Sequence, residues 1–154
     1  MFVLIVGAGR VGSSVARSAL EAGHDVSVLD EDPLSHERLD ANQATSWEDA
    51  GGRFTVGTAL EMDALLEAGI EEADTFVAST NGDNTNIVIA QIAQRRFEVG
   101  TVIARILDPL RAEWYQRQGL QTVCPTRVAI DMLEGAVREA EARGGTTGDT
   151  AAAV

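Results

Sequence analysis

Residues 2–12 read Phe2-Val3-Leu4-Ile5-Val6-Gly7-Ala8-Gly9-Arg10-Val11-Gly12, and the fold follows from this stretch. Five consecutive apolar residues, β-branched and aromatic among them, suit a strand buried on both faces of a sheet. The run ends in the pattern G-x-G-x-x-G. Beyond it Val11, Val15, Ala19 and Ala22 recur at helical spacing over residues 10–22. Gly23 stands where a left-handed residue stops a helix. Strand, glycine turn and helix therefore succeed one another directly.

The same unit repeats along the chain. Residues 25–29 read as a strand, and Asp32-Pro33 opens a short polar helix to about residue 42. A strand over 53–56 and a helix over 60–68 come next, and the helix end Leu20-Glu21-Ala22-Gly23 reappears as Leu66-Glu67-Ala68-Gly69. Then come a strand over 75–78, a helix over 84–97, a strand over 101–106, a helix over 109–118 stopped by Gly119, and a strand over 120–124. Thr126 is the expected cap of a last helix reaching about residue 142. Six strands alternating with six helices predict an α/β, Rossmann-like, doubly wound parallel six-stranded sheet in a single domain over residues 1–142. Residues 143–154 are mostly Gly, Thr and Ala without periodicity and are expected to be a disordered tail. The polar stretch 44–52 reads as a surface loop.

Composition narrows the chemistry. The 154 residues carry 12 basic side chains against 24 acidic ones, a net charge of −12. Such a balance opposes a partner bound mainly through phosphates, so no nucleic acid is expected. All the basic residues are arginine, and the chain has no lysine. Schiff-base chemistry, a P-loop lysine and a Tyr/Lys proton relay are thereby excluded. A single Cys124 allows no internal disulfide, and no Cys/His cluster has metal spacing. No apolar run has membrane-spanning length, and Met1 leads into an apolar segment with no basic stretch, so neither direct membrane insertion nor a signal peptide is expected.

The glycine turn gains meaning from its surroundings. It ends a strand and opens a helix, and Asp30 closes the next strand 18 residues past Gly12, which is the dinucleotide-binding pattern. Gly7 permits the tight turn, Gly9 lets backbone N–H groups approach a pyrophosphate, and Gly12 lets the helix close onto the sheet. A turn that serves only packing is the alternative. Asp30 is placed to accept both ribose hydroxyls of an adenosine, or else is an exposed strand-end carboxylate, with Asp32 the better cap of the next helix. Asp30 repels a 2′-phosphate, and residues 31–34 offer no arginine, so NADP is disfavoured. NAD(H), ADP and ATP share the adenosine and are not separated by this contact. Arg10, at the helix start, is within reach of a diphosphate or simply solvated. The polar run over residues 79–86 either touches a ligand or forms turns and a helix cap. Arg105, charged in an apolar strand, needs either a bound anion or an internal carboxylate.

Hydride transfer needs a proton donor or acceptor beside the nicotinamide. His24 falls at the opposite edge from the crevice and His36 on the polar second helix, both expected at the surface. Tyr115 has no lysine partner, and the nucleotide fold leaves no substrate domain. A binding module without chemistry is the expectation, with a small NAD-dependent oxidoreductase or a nucleotide-free assembly adaptor as alternatives. The helix over 84–97 is apolar beyond one stripe, through Ile87, Val88, Ile89, Ala90, Ile92, Ala93 and Phe97. Part of that surface suits sheet packing and part a subunit interface.

Together these stretches resemble the KTN (RCK N-terminal, TrkA-N type) domain of Trk/Ktr potassium-uptake regulatory subunits. The resemblance covers residues 1–138. It is carried by the glycine turn, Leu29-Asp30-Glu31-Asp32-Pro33, Val56-Gly57-Thr58-Ala59, the run from Leu65 to Asp74, the polar run from Ser79 to Asn86, and Ile103-Ala104-Arg105. It implies that Gly7, Gly9, Arg10 and Gly12 hold phosphates, Asp30 holds ribose, Gly57 and Thr58 flank the base, and Thr80, Asn81 and Arg105 complete the site. Val11 and Glu31 fall within the same site. It further implies an adenine nucleotide, a homo-oligomer (dimer or larger ring), and a membrane potassium transporter as partner. The location implied is cytoplasmic, at the inner face of the membrane. Two departures stand out. Thr58 occupies a position where the family usually has Asp, removing a carboxylate near the base. The family's second ligand-sensing domain has no room in residues 143–154, so a stand-alone subunit or a truncated copy is expected.

Overall fold

A computed structural model describes residues 1–145. Six strands, β1 (Phe2–Val6), β2 (Asp25–Asp30), β3 (Arg53–Val56), β4 (Thr75–Ala78), β5 (Thr101–Arg105) and β6 (Gln121–Val123), form one sheet in the order β3-β2-β1-β4-β5-β6. Every neighbouring pair is parallel. Between and after them run α1 (Arg10–Glu21), α2 (Glu37–Asp40), α3 (Met62–Glu67), α4 (Asp83–Arg95), α5 (Pro109–Arg117) and α6 (Pro125–Gly145). Short 3-10 turns precede α2 at Pro33–His36 and succeed α3 at Ile70–Glu72. The architecture is the expected Rossmann-like α/β sheet.

Alternation along β1 shows how the layers are filled. Leu4 and Val6 face a cluster that α3, α4 and α5 cover with Leu65, Ile89 and Ala112. Val3 and Ile5 face the opposite side, where Ala16 of α1 and Leu39 of α2 pack. β1 is buried at all five positions, as a central strand between two helical layers must be.

Register sets where the strands end together. Val6 pairs with Leu29 and with Ala78, Asp30 with Val56, and Ala78 with Ala104. Gly7, Asp30, Gly57, Ser79 and Arg105 consequently lie along one edge. The connections leaving β1 and β4 go to opposite sides of that edge, which is the switch point where open α/β sheets bind ligands.

Some local expectations need correction. The segment 44–52 is not merely a surface loop: Trp47 is 2% exposed and packs on the α1/α2 face. Its Nε1 donates to the Arg53 carbonyl at 3.0 Å and its backbone N–H to Asp40 at 2.7 Å, so a lone indole in a polar stretch anchors the connection. The cap of α6 is Cys124, not Thr126. Its carbonyl accepts from Val128 and its Sγ accepts the Arg127 N–H, because Pro125 takes the first helical position, where a missing N–H costs nothing. Of the tail expected over 143–154, residues 143–145 continue α6, and the rest lies outside the described residues.

Candidate functional site

A crevice of about 480 Å³ opens along the strand-end edge, within the range of small-molecule sites. The glycine turn builds its floor. Gly7 has φ +101°, and a Cβ there meets the backbone of Ser79 and Thr80 at 2.8 Å; neither the turn nor the approach of β4 tolerates a side chain. Gly12 presses α1 onto this turn so closely that an added Cβ falls 1.8 Å from the Gly7 carbonyl oxygen. Gly9 differs from both: a Cβ added there has nothing within 4 Å, and the residue lines the crevice. As the N-cap of α1 it supplies no side-chain cap. The first N–H groups of the helix therefore open on the crevice with their positive end, as anion sites require.

Asp30 stands beside this turn. Its Oδ2 accepts the Ala8 N–H at 2.6 Å and its Oδ1 the Asp32 N–H at 2.9 Å. A carboxylate has about four acceptor positions, so two remain for hydroxyls. Asp32 turns to the next element, accepting the Leu34 N–H as N-cap of the 3-10 turn.

The opposite wall rests on Asn86. This residue is 1% exposed and uses its whole amide. Oδ1 accepts from the Thr80 N–H at 2.9 Å and the Thr80 hydroxyl at 2.6 Å, while Nδ2 donates to the carbonyls of Thr80 at 3.0 Å and Arg105 at 2.8 Å. Arg105 Nη1 donates to the same Thr80 carbonyl at 3.2 Å. Its Nε is buried without a partner, and no carboxylate pairs with it among the described residues. The internal-carboxylate alternative is thus absent, and a donor is left over at the crevice.

Every expected site residue except Gly12 lines this space: Gly7, Gly9, Arg10, Val11, Asp30, Glu31, Gly57, Thr58, Thr80, Asn81 and Arg105. Gly12 sits behind the turn as a packing glycine. Gly57 lines the crevice but also packs, since a Cβ there lies 2.8 Å from that of Ala64. Sequence reasoning missed Ser35, Arg38 and Leu60 as lining residues, whereas Ser79 and Thr85, which also line the crevice, fall in the polar run it offered for ligand contact; it missed Asn86 as the support. Only the i, i+3 spacing of Ser35 and Arg38 after an N-cap offered a signal.

Neither histidine lines the crevice. His36 is half-buried, not a plain surface residue: Nδ1 lies 3.3 Å from Asp40 and Nε2 2.7 Å from Glu48, with Phe54 edge-on at 5.1 Å. One carboxylate on each ring nitrogen ties segment 44–52 to α2. Tyr115 packs against Trp114 and is likewise remote. α4 buries Ile87, Ile89, Ala90 and Ala93, so most of its apolar surface serves the sheet. Val88 of α4 stays exposed, and among the other large exposed apolar side chains a group lies on α5 and α6, namely Leu110, Trp114, Val128, Met132, Leu133 and Val137. Among the described residues no helix is long and apolar enough to cross a membrane.

A family model described as the TrkA-N domain matches residues 3–126. The Trk system potassium uptake protein TrkA of Streptomyces coelicolor is 45% identical over 133 residues, covering 86% of this chain and 56% of that protein. The chain thus spans little more than half the length of this relative. Among solved structures, the TrkA-N domain of the inner membrane protein ybaL from Escherichia coli superposes with a TM-score of 0.71 at 22% identity, covering 86% of this chain and 94% of that one. GsuK bound to ADP gives 0.68 at 20% identity, covering 86% and 32%. These two likenesses are of fold.

Proposed function

The chain belongs to the TrkA-N domain family, and on that premise we propose that it is the nucleotide-sensing part of a potassium-uptake regulator. The ligand is an adenine nucleotide, NAD(H) or ADP/ATP. One observation carries this: the uncapped N-terminus of α1 opens on the same crevice that Asp30 and the half-satisfied guanidinium of Arg105 enter. The first offers N–H groups to a diphosphate, the second accepts ribose hydroxyls, and the third still has a donor to give. The ADP bound by GsuK, a neighbour in fold, supports the same class of ligand. Glu31 and Asp32 beside Asp30 make a 2′-phosphate unwelcome, so NADP binds least.

Sensing requires that one conformation bind better than another. Among the described residues the crevice lining holds no histidine, tyrosine or cysteine, which favours such a role over hydride chemistry. The apolar stripe of α6 with Leu110 and Trp114 of α5 is the surface for a second copy, since exposed apolar patches of this kind mark interfaces. The assembled subunit works at the cytoplasmic face of a membrane potassium transporter, where nucleotide-dependent changes in packing alter cation flux.

The test is a thermal and calorimetric titration of the chain with NADH, NAD, ADP, ATP and NADPH. A ligand at a hundredfold excess over its Kd stabilises by about 2.7 kcal/mol. At least one adenine nucleotide is expected to do so. No response to any of them overturns the reading in favour of an assembly adaptor.

A further inference from the structure

We infer that His36 and Asp40 form a binding site for a zinc-type divalent metal ion, outside the nucleotide crevice and independent of that reading. Three donor side chains converge here. His36 and Asp40 stand one helical turn apart and share a face, and the connection between α2 and β3 brings Glu48 to them. One ligand atom from each of the three lies within 4.8 Å of the others. None of them lines the crevice.

The two ring nitrogens of His36 differ. Nε2 lies 2.7 Å from Glu48 Oε1 in a hydrogen bond. Nδ1 lies 3.3 Å from Asp40 Oδ2, yet makes no hydrogen bond among the described residues. Two donors bound to one tetrahedral zinc ion stand about 3.4 Å apart, so this separation suits a shared ion. A neutral ring that gives its one proton from Nε2 to Glu48 aims the Nδ1 lone pair at that place. An outer carboxylate that fixes tautomer and ring orientation in this way is the usual support of a metal-bound histidine. Asp40 is supported likewise, because its Oδ1 accepts the Trp47 N–H at 2.7 Å and leaves Oδ2 for the ion. The buried indole of Trp47 and the edge-on ring of Phe54, 5.1 Å from that of His36, hold the group in place.

Charge and access favour a cation. Neither Asp40 nor Glu48 has an arginine within ion-pair distance among the described residues, so two negative charges face a ring that, when neutral, does not balance them. The side chains of His36 and Asp40 are 28% and 40% exposed, which lets water complete the coordination. A nitrogen donor beside a carboxylate suits zinc and its transition-metal neighbours, whereas magnesium and calcium take oxygen donors. The site is hidden in the sequence because it holds a single histidine and no cysteine, and because Glu48 reaches it only through the burial of Trp47.

The experiment titrates ZnCl2 and MgCl2 by calorimetry into the untagged chain after chelator treatment, with Asp40→Asn, His36→Gln, Glu48→Gln and His24→Asn alongside. Each metal-free protein is melted, and long-range 1H–15N spectra follow the histidine rings. Wild type is expected to bind one zinc ion and to ignore magnesium. Asp40→Asn keeps an acceptor for the Trp47 N–H and should melt close to wild type when metal-free, yet weaken zinc by about tenfold or more. His36→Gln weakens zinc at least as much, Glu48→Gln by a smaller factor, and His24→Asn not at all. Zinc should move the His36 Nδ1 resonance while Nε2 keeps its proton. The site is overturned if zinc does not bind, if either Asp40→Asn or His36→Gln binds it like wild type, or if His24→Asn loses it. Coordination through Nε2, or magnesium binding as tightly as zinc, overturns it equally.

Discussion

The N–H of Ala8 donates to Oδ2 of Asp30 at 2.6 Å, a bond across 22 residues that ties the glycine turn to the tip of the next strand. The amides of the glycine turn and the carboxylate at the tip of β2 are therefore held to one another. Replacing Asp30 with Ala strands the N–H groups of Ala8 and Asp32 and removes the ribose acceptor. It is expected to cost about 1–3 kcal/mol of stability, read by urea denaturation, and, on the proposed role of Asp30 toward ribose, to lower adenine-nucleotide affinity by at least tenfold. A variant that loses stability but binds normally would remove Asp30 from the site.

Gly9 and Gly12 separate binding from folding. Gly12→Ala drives a Cβ to 1.8 Å from the Gly7 oxygen, which is backbone and cannot rotate aside. A loss above about 3 kcal/mol, or no soluble protein, is expected. Gly9→Ala meets nothing and sits at an ordinary φ of −69°. Its stability should stay within about 1 kcal/mol of wild type by thermal melting, while its methyl blocks the close approach of a diphosphate and abolishes binding.

Asn86 holds Thr80 and Arg105 by four hydrogen bonds. Asn86→Leu keeps much of the volume, takes the amide partner from the Thr80 N–H and the Arg105 carbonyl, and leaves the Thr80 carbonyl to Arg105 alone. A destabilisation of about 3 kcal/mol or more is expected, with weaker nucleotide binding in the fraction that remains folded. Equilibrium denaturation with and without ADP measures both.

Arg105 carries a buried unpaired Nε, so its removal tests charge with little cost to the fold. Arg105→Gln should stay within about 1 kcal/mol of wild-type stability and bind ADP about tenfold more weakly. The loss should also shrink as salt rises, since screening weakens the charge in wild type. Calorimetry at two ionic strengths checks this.

Trp47→Ala empties the largest fully buried side chain of the α1/α2 face. A loss of about 3–5 kcal/mol is expected, measured by urea denaturation. A change below about 1 kcal/mol, the scale of a surface substitution, would mean that segment 44–52 is the surface loop its polar sequence suggests.

Much of the site is legible in the chain. The turn from Gly7 to Gly12 is contiguous, and its backbone demands are local, so residue type and order reveal them. Asp30 is legible because the end of a strand next to β1 can be counted. Asn86 is not: nothing in a polar run tells which amide turns inward, and its partner Arg105 is 19 residues away. Ser35 and Arg38 escape a linear reading because they line the crevice only once α2 is laid against the sheet beside Asp30. Cys124 takes the cap from Thr126 because Pro125 fixes where α6 begins.

The amino-acid order alone determined the alternation of strand and helix, the phosphate-ready turn, the acid after it and the family these belong to. Each depends on short-range spacing and on the conformations that glycine, proline and β-branched residues allow. The sheet order and register were decided only in three dimensions, because they depend on which apolar faces bury one another at long range. From that packing came the buried Trp47, the fourfold-bonded Asn86, the unpaired Arg105 Nε and the partnerless hydroxyl of Ser35.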